Sequence, residues 1–206
     1  MKLKRSALLA TPFLIMVNFP VVYAAQLTYN VTAIFYEPDT QPNNTIFTGT
    51  FVYDTTTQAI SGLKGTLSES MTGDGVDPAT QTLVPLNYQL SSVSDGQGGQ
   101  LVSAFALNNT NVFQGGGFAT GGTRYFGYVS KDSKWNAATA NAYVTINVKL
   151  SNPLIPLTGI QLNRLAYGDC TAEGMMGSYC MTGHADGGTM MATPFSQTIT
   201  LAPVTP

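Results

Sequence analysis

The chain has 206 residues, and only 10% of them are charged, against roughly 25% in an average soluble domain. Its formal net charge is −2, with nine basic and eleven acidic side chains and one histidine. Nucleic acid and anionic membrane surfaces are therefore poor partners, because both require a basic footprint.

The first residues carry an export pattern. Lys2, Lys4 and Arg5 form a basic start. An apolar run from Ala7 to Val22 follows, interrupted by Thr11, Pro12, Asn18 and Pro20, and Val22-Tyr23-Ala24 supplies a small-residue cleavage site. This predicts a signal peptide over 1–24, removed after Ala24. The run is too short and too interrupted for a membrane span, and no later segment has that character, so the mature chain is expected to have none. Residues 25–206 would form one domain in a secreted, periplasmic or cell-surface protein. The leader takes three basic residues and no acidic ones with it, which leaves six against eleven and a formal charge of −5.

Along this mature chain the apolar residues recur with period two, the strand period, and not with the helical 3.6. Leu27, Tyr29, Val31, Ala33 and Phe35 alternate with polar residues. Phe47, Gly49, Phe51 and Tyr53 mark a second strand, Asp54 to Thr57 a turn, and Ala59 to Leu67 a returning third strand. Gly49, Gly62 and Gly65 lie within this pair and suggest a bulge or close backbone approach. Ser68 to Gln81 reads as a loop. Leu86, Tyr88 and Leu90 start another strand, Asp95-Gly96-Gln97-Gly98-Gly99 turns it, and Leu101 to Leu107 answers. Arg124 to Ser130 is strand-like, and 131–140 is a loop holding Trp135. Tyr143 to Leu150 has an apolar face (Ala142, Val144, Ile146, Val148, Leu150) and a mixed one. Ile160 to Tyr167 reads as a further strand, and Phe195, Ile199 and Leu201 share one face of the last. No amphipathic helix of useful length is expected. About nine to ten short strands at regular spacing predict an all-β fold, a single antiparallel β-sandwich or jelly-roll-like domain.

The run Gly49-Thr50-Phe51-Val52-Tyr53-Asp54-Thr55-Thr56-Thr57-Gln58-Ala59-Ile60 resembles a hairpin common in exported bacterial β-sandwich proteins, many of which carry a PEP-CTERM sorting tag. Residues 199–206 resemble the strand that precedes such a tag, whereas the tag's Pro-Glu-Pro motif, membrane helix and basic end do not occur in this sequence. The resemblance spans about twenty residues. It implies a Gram-negative secreted or surface protein and brings no catalytic residues with it.

Side-chain chemistry is concentrated between Asp169 and Met191, which hold both cysteines, the single histidine and five of the eight methionines. In an exported chain Cys170 and Cys180 are expected to form one disulfide. The alternative is a copper site. Thioether and imidazole ligands favour Cu(I), and Met175, Met176, Met181, His184, Met190 and Met191 would supply them, with Asp186 orienting His184. The competing assignment for these methionines is gap-filling in the core. Asp74, Asp77 and Asp95 sit beside glycines and read as turn formers more readily than as a calcium loop. No nucleophile elbow or phosphate loop is present, and the three glutamates, Glu37, Glu69 and Glu173, stand in no recognisable catalytic setting, so no enzyme is expected. Trp135, Tyr125 and Tyr128, with Tyr143 nearby, form the candidate platform of a carbohydrate-binding module, against packing in the core. The leading expectation is an exported, non-enzymatic structural, surface or matrix-associated protein. It would act by self-association or by contact with cell-surface and matrix components, without a cofactor.

Overall fold

A computed structural model describes residues 25–37, 43–68, 70, 72–108, 142–169, 181–184 and 195–203. In chain order the strands are β1 (Gln26–Phe35), β2 (Thr45–Asp54), β3 (Ile60–Ser68), β4 (Leu83–Leu86), β5 (Tyr88–Ser94), β6 (Gly99–Phe105), β7 (Ala142–Lys149), β8 (Ala166–Asp169), β9 (Met181–His184) and β10 (Ser196–Leu201). One helical turn, α1 (Gly159–Leu162), precedes β8. The strands make two five-stranded antiparallel sheets, ordered β10-β1-β2-β3-β4 and β5-β6-β7-β8-β9. The chain is thus an all-β sandwich, as its period-two patterning predicts. No helix among the described residues is long and apolar enough to cross a membrane.

The core follows from strand alternation. Tyr29, Val31, Ala33 and Phe35 of β1 are buried, as are Phe47, Phe51 and Tyr53 of β2. They meet Val102, Ala104, Val144, Ile146 and Val148 from the other sheet. Phe35 joins the layers, with its ring 4.8 Å from Tyr167 and 5.4 Å from Phe195. Tyr53 ties them again by donating its hydroxyl hydrogen to the Leu150 carbonyl.

The three glycines of the first hairpin act as their setting requires. Gly49 lies opposite Gly65, and a Cβ on Gly65 would stand 2.6 Å from the Gly49 Cα. Gly62 has φ +65 and lies where the β2–β3 register shifts, so this glycine takes the backbone shape of the bulge. The turns are closed by aspartates. Asp54 Oδ1 accepts from the amides of Thr56 at 2.9 Å and Thr57 at 2.8 Å. Asp74 accepts from Val76 at 2.9 Å and Asp77 at 2.8 Å, and Asp77 accepts from Ala79 at 2.9 Å. These are the turn-forming roles their glycine-rich settings suggest.

Two expectations are corrected. The single strand beginning at Leu86 is two: β4 pairs with β3, whereas β5 pairs with β6 in the other sheet. The chain crosses between layers at Asn87, and Pro85 sits on the edge strand β4, where a missing N–H is tolerated. The strand expected from Ile160 to Tyr167 is mostly the turn α1, nucleated by a capping box in which Thr158 and Gln161 satisfy each other's backbone amides. Beside these two, β7 is buried on both faces from Ala142 to Val148, including Thr145 and Asn147. Its second face is part of the interior, where Thr145 Oγ1 and Ser103 Oγ share a hydrogen bond at 2.8 Å and Asn147 Nδ2 donates to Asp95 Oδ2 at 3.0 Å.

Candidate functional site

The outer face of the first sheet is a regular polar array. Thr198, Thr32, Thr48 and Thr66 lie directly opposite one another across β10, β1, β2 and β3. Two residues along, Thr200, Asn30, Thr50 and Lys64 form a second row. The odd-numbered neighbours on β1 are buried, which turns these side chains outward. Thr48, Thr198 and Thr200 are exposed and Thr32, Thr50 and Thr66 partly so. Lys64 is the single charge in the two rows. Such a surface offers hydroxyl and amide hydrogen bonds at the strand spacing of about 4.8 Å, with almost no electrostatic preference.

Among the described residues this face ends at β10. Among the described residues β10 pairs with β1 alone. Beside it runs a groove of about 280 Å³ between Gln197, Thr198 and Ile199 and the segment Pro153–Leu157. Leu154 and Ile155 on its wall are 47% and 42% exposed, and Leu201 at the strand end is 50% exposed.

A side chain fixes that edge to the opposite layer. The β7–β8 ladder stops at Thr145↔Ala166, and beyond it the Gln197 amide takes the vacant place. Asn147 N–H donates to Gln197 Oε1 at 3.1 Å, and Gln197 Nε2 donates to the Asn147 carbonyl. Gln89 does the same for the first sheet. The β3–β4 ladder stops at Gly65↔Leu86. Past that point Leu63 N–H donates to Gln89 Oε1 at 2.8 Å, and Gln89 Nε2 donates to the Ile60 carbonyl at 3.1 Å. Each glutamine reaches from the other sheet and satisfies backbone groups that would otherwise be buried unpaired.

Asn147 also anchors the buried Asp95. Asp95 Oδ2 accepts from Asn147 Nδ2 at 3.0 Å and from Gln161 Nε2 at 2.8 Å. Its Oδ1 accepts from the Gln97 and Gly99 amides at 2.6 and 2.8 Å. Burial raises the Asp95 pKa, but these four donors outweigh it and hold the carboxyl below its usual range. On the far side of the core, Glu37 accepts from the Tyr167 hydroxyl and, at 2.7 Å, from Ser70 Oγ. Burial first, and then Glu37, pushes the Tyr167 phenol well above its usual pKa. Both clusters are closed to solvent and cross-link elements; neither presents a group to a substrate.

Of the residues singled out in the sequence, Met181 and His184 are the first and last of β9, opposite Asp169 and Ala166. Cys170, Cys180, Met175, Met176, Met190 and Met191 lie outside the described residues, as do Trp135, Tyr125, Tyr128, Glu69 and Glu173. Tyr143 belongs to the interior, with its ring stacked 5.6 Å from Phe105. Among the described residues no group of three or more His, Cys, Asp or Glu side chains could hold a metal. No family model, curated protein or solved structure matches this chain. Its function is therefore argued from its surface. Gln89 and Gln197, which clip the two sheets together behind that surface, carry no local motif. One signal was readable: Gln197 falls between Phe195 and Ile199 and breaks an apolar stripe with an amide.

Proposed function

We propose that the chain is an exported, non-enzymatic structural protein of the cell surface or extracellular matrix, acting by non-covalent association. The observation that carries this reading is the threonine–asparagine array on the outer face of the β10-β1-β2-β3 sheet, with one charge in two full rows. Neutral, hydroxyl-rich matrix material can be held by many weak hydrogen bonds and methyl contacts, none of which requires a fixed charge. The export pattern at the N-terminus and the low charge of the whole chain agree with such a setting. Fractionation of the secreting host tests it. The protein should stay with the cell-surface or matrix fraction, and the double substitution Thr48→Asp, Thr50→Asp should release it into the medium while leaving it folded. Quantitative recovery of the wild-type protein from the medium, or equal retention of the variant, would sink the reading.

A further inference from the structure

We propose that β10 is a self-association strand: the β10 strands of two copies pair antiparallel about a two-fold axis at Ile199, which joins two five-stranded sheets edge to edge. This deepens the reading of the chain as an association module and rests on it. The hydrogen-bonding phase of β10 is fixed by the Ala202 amide, which donates to the Thr28 carbonyl at 2.9 Å. Residues of even number therefore point their backbone groups at β1, and Gln197, Ile199 and Leu201 point theirs at the open side. Those groups lack a strand partner among the described residues.

Natural edge strands are usually protected by a charge, a proline or a bulge. None interrupts β10. Its sequence, Ser196-Gln197-Thr198-Ile199-Thr200-Leu201, is uncharged and free of proline, and its register with β1 is unbroken over six pairs. The strand is also held in place before any partner arrives, since Gln197 ties it to β7. Preorganisation of this kind lowers the ordering cost of association.

The partner that fits is a second copy. An axis at Ile199 sets Ile199 opposite its equivalent, Thr198 opposite Thr200 of the other copy, and Gln197 opposite Leu201. Inward residues then face inward residues, and outward face outward, as strand pairing requires. The threonine rows continue across the junction. Leu201 of the second copy is brought to the groove walled by Leu154 and Ile155, so that exposed apolar groups from both copies leave water together. Charge selects the same surface. The chain is net negative, so two copies repel over most orientations, and neither β10 nor the groove beside it carries a charged side chain.

Sedimentation of the purified mature protein over a concentration series tests the proposal. The wild type should pass from monomer to dimer. The double substitution Thr198→Lys, Thr200→Lys lies on exposed outward positions and sets lysines opposite lysines across the axis. It should weaken the dimer by about tenfold or more, and about 1 M salt should largely restore it. Leu201→Pro removes an outward-pointing N–H at an exposed position and should abolish dimerisation at any salt, with an unchanged circular dichroism spectrum. A wild type that stays monomeric throughout, or variants that dimerise as the wild type does, would overturn the assignment. A missing dimer with surface retention intact rejects the strand pairing alone, and a dimer without retention rejects the surface role alone.

Discussion

Gly65 faces Gly49 across β2 and β3 with Phe47 packed beside both, and the closest neighbours of an added Cβ are backbone atoms. Backbone cannot swing aside as a flexible side chain can, so Gly65→Ala should destabilise the fold by about 1–3 kcal/mol, read as a lower midpoint in urea at unchanged slope. Gln197→Leu keeps much of the volume but leaves the Asn147 N–H and carbonyl without their side-chain partner. The expected cost is again about 1–3 kcal/mol, with a similar loss for Gln89→Leu, and the two should add because they act at separate ladders. Asp95 sets a pH dependence. Its folded pKa is depressed, so its stabilising contribution is complete above the unfolded carboxyl value of about 3.9 and is lost as pH falls through the folded value. Asp95→Asn should be less stable than the wild type at neutral pH and should lose less stability between about pH 4 and pH 2, measured by thermal melts across that range. A variant as acid-sensitive as the wild type would remove Asp95 from this account.

The β8–β9 hairpin carries the clearest prediction about an element. Its ladder runs from Ala166↔His184 to Asp169↔Met181, and Cys170 and Cys180, which adjoin it in sequence, lie outside the described residues. In an exported chain two cysteines are expected to be oxidised to one bridge. A Cys170–Cys180 bridge is the expected link. Intact mass should rise by about two units on reduction as two hydrogens are added, and Cys170→Ser, Cys180→Ser should cost about 2–3 kcal/mol. Free thiols in the protein purified under oxidising conditions would contradict it. The other elements show what period-two patterning can reveal. β1, β2 and β7 are legible because each presents a long apolar stripe, β3 because it returns from the Asp54–Thr57 turn, and the β5–β6 hairpin because its turn is rich in glycine. The crossing at Asn87 is not, since β4 and β5 have the same alternation and differ only in which sheet they join. The turn α1 was missed although Thr158 and Gln161 have capping-box spacing, because Ile160, Leu162 and Leu165 resemble strand residues when read in isolation. The partners of Gln89 and Gln197 were illegible because they are backbone groups far along the chain, and such groups have no sequence signature.

For the molecule as a whole, the two layers divide the work. The β5–β9 sheet is covered on both sides of its central strand β7, whereas the β10–β4 sheet keeps its threonine rows toward solvent. The proposed surface and junction both lie on the β10–β4 sheet, so surface substitutions that abolish association should leave the melting temperature of the monomer nearly unchanged, whereas Gln89→Leu should lower it and leave association intact, and Gln197→Leu, which also loosens β10, should weaken both. Differential scanning calorimetry alongside sedimentation would separate the two classes. The pairing of β10 with β1 also governs when the fold can be completed. These strands stand about 170 residues apart in sequence, so their contacts are among the most non-local in the molecule, and such contacts slow folding to milliseconds or seconds. A chain emerging from its amino end cannot close this sheet until its last strand has arrived. Until then β1 keeps one edge unpaired, and the native state cannot lock before β10 has been made.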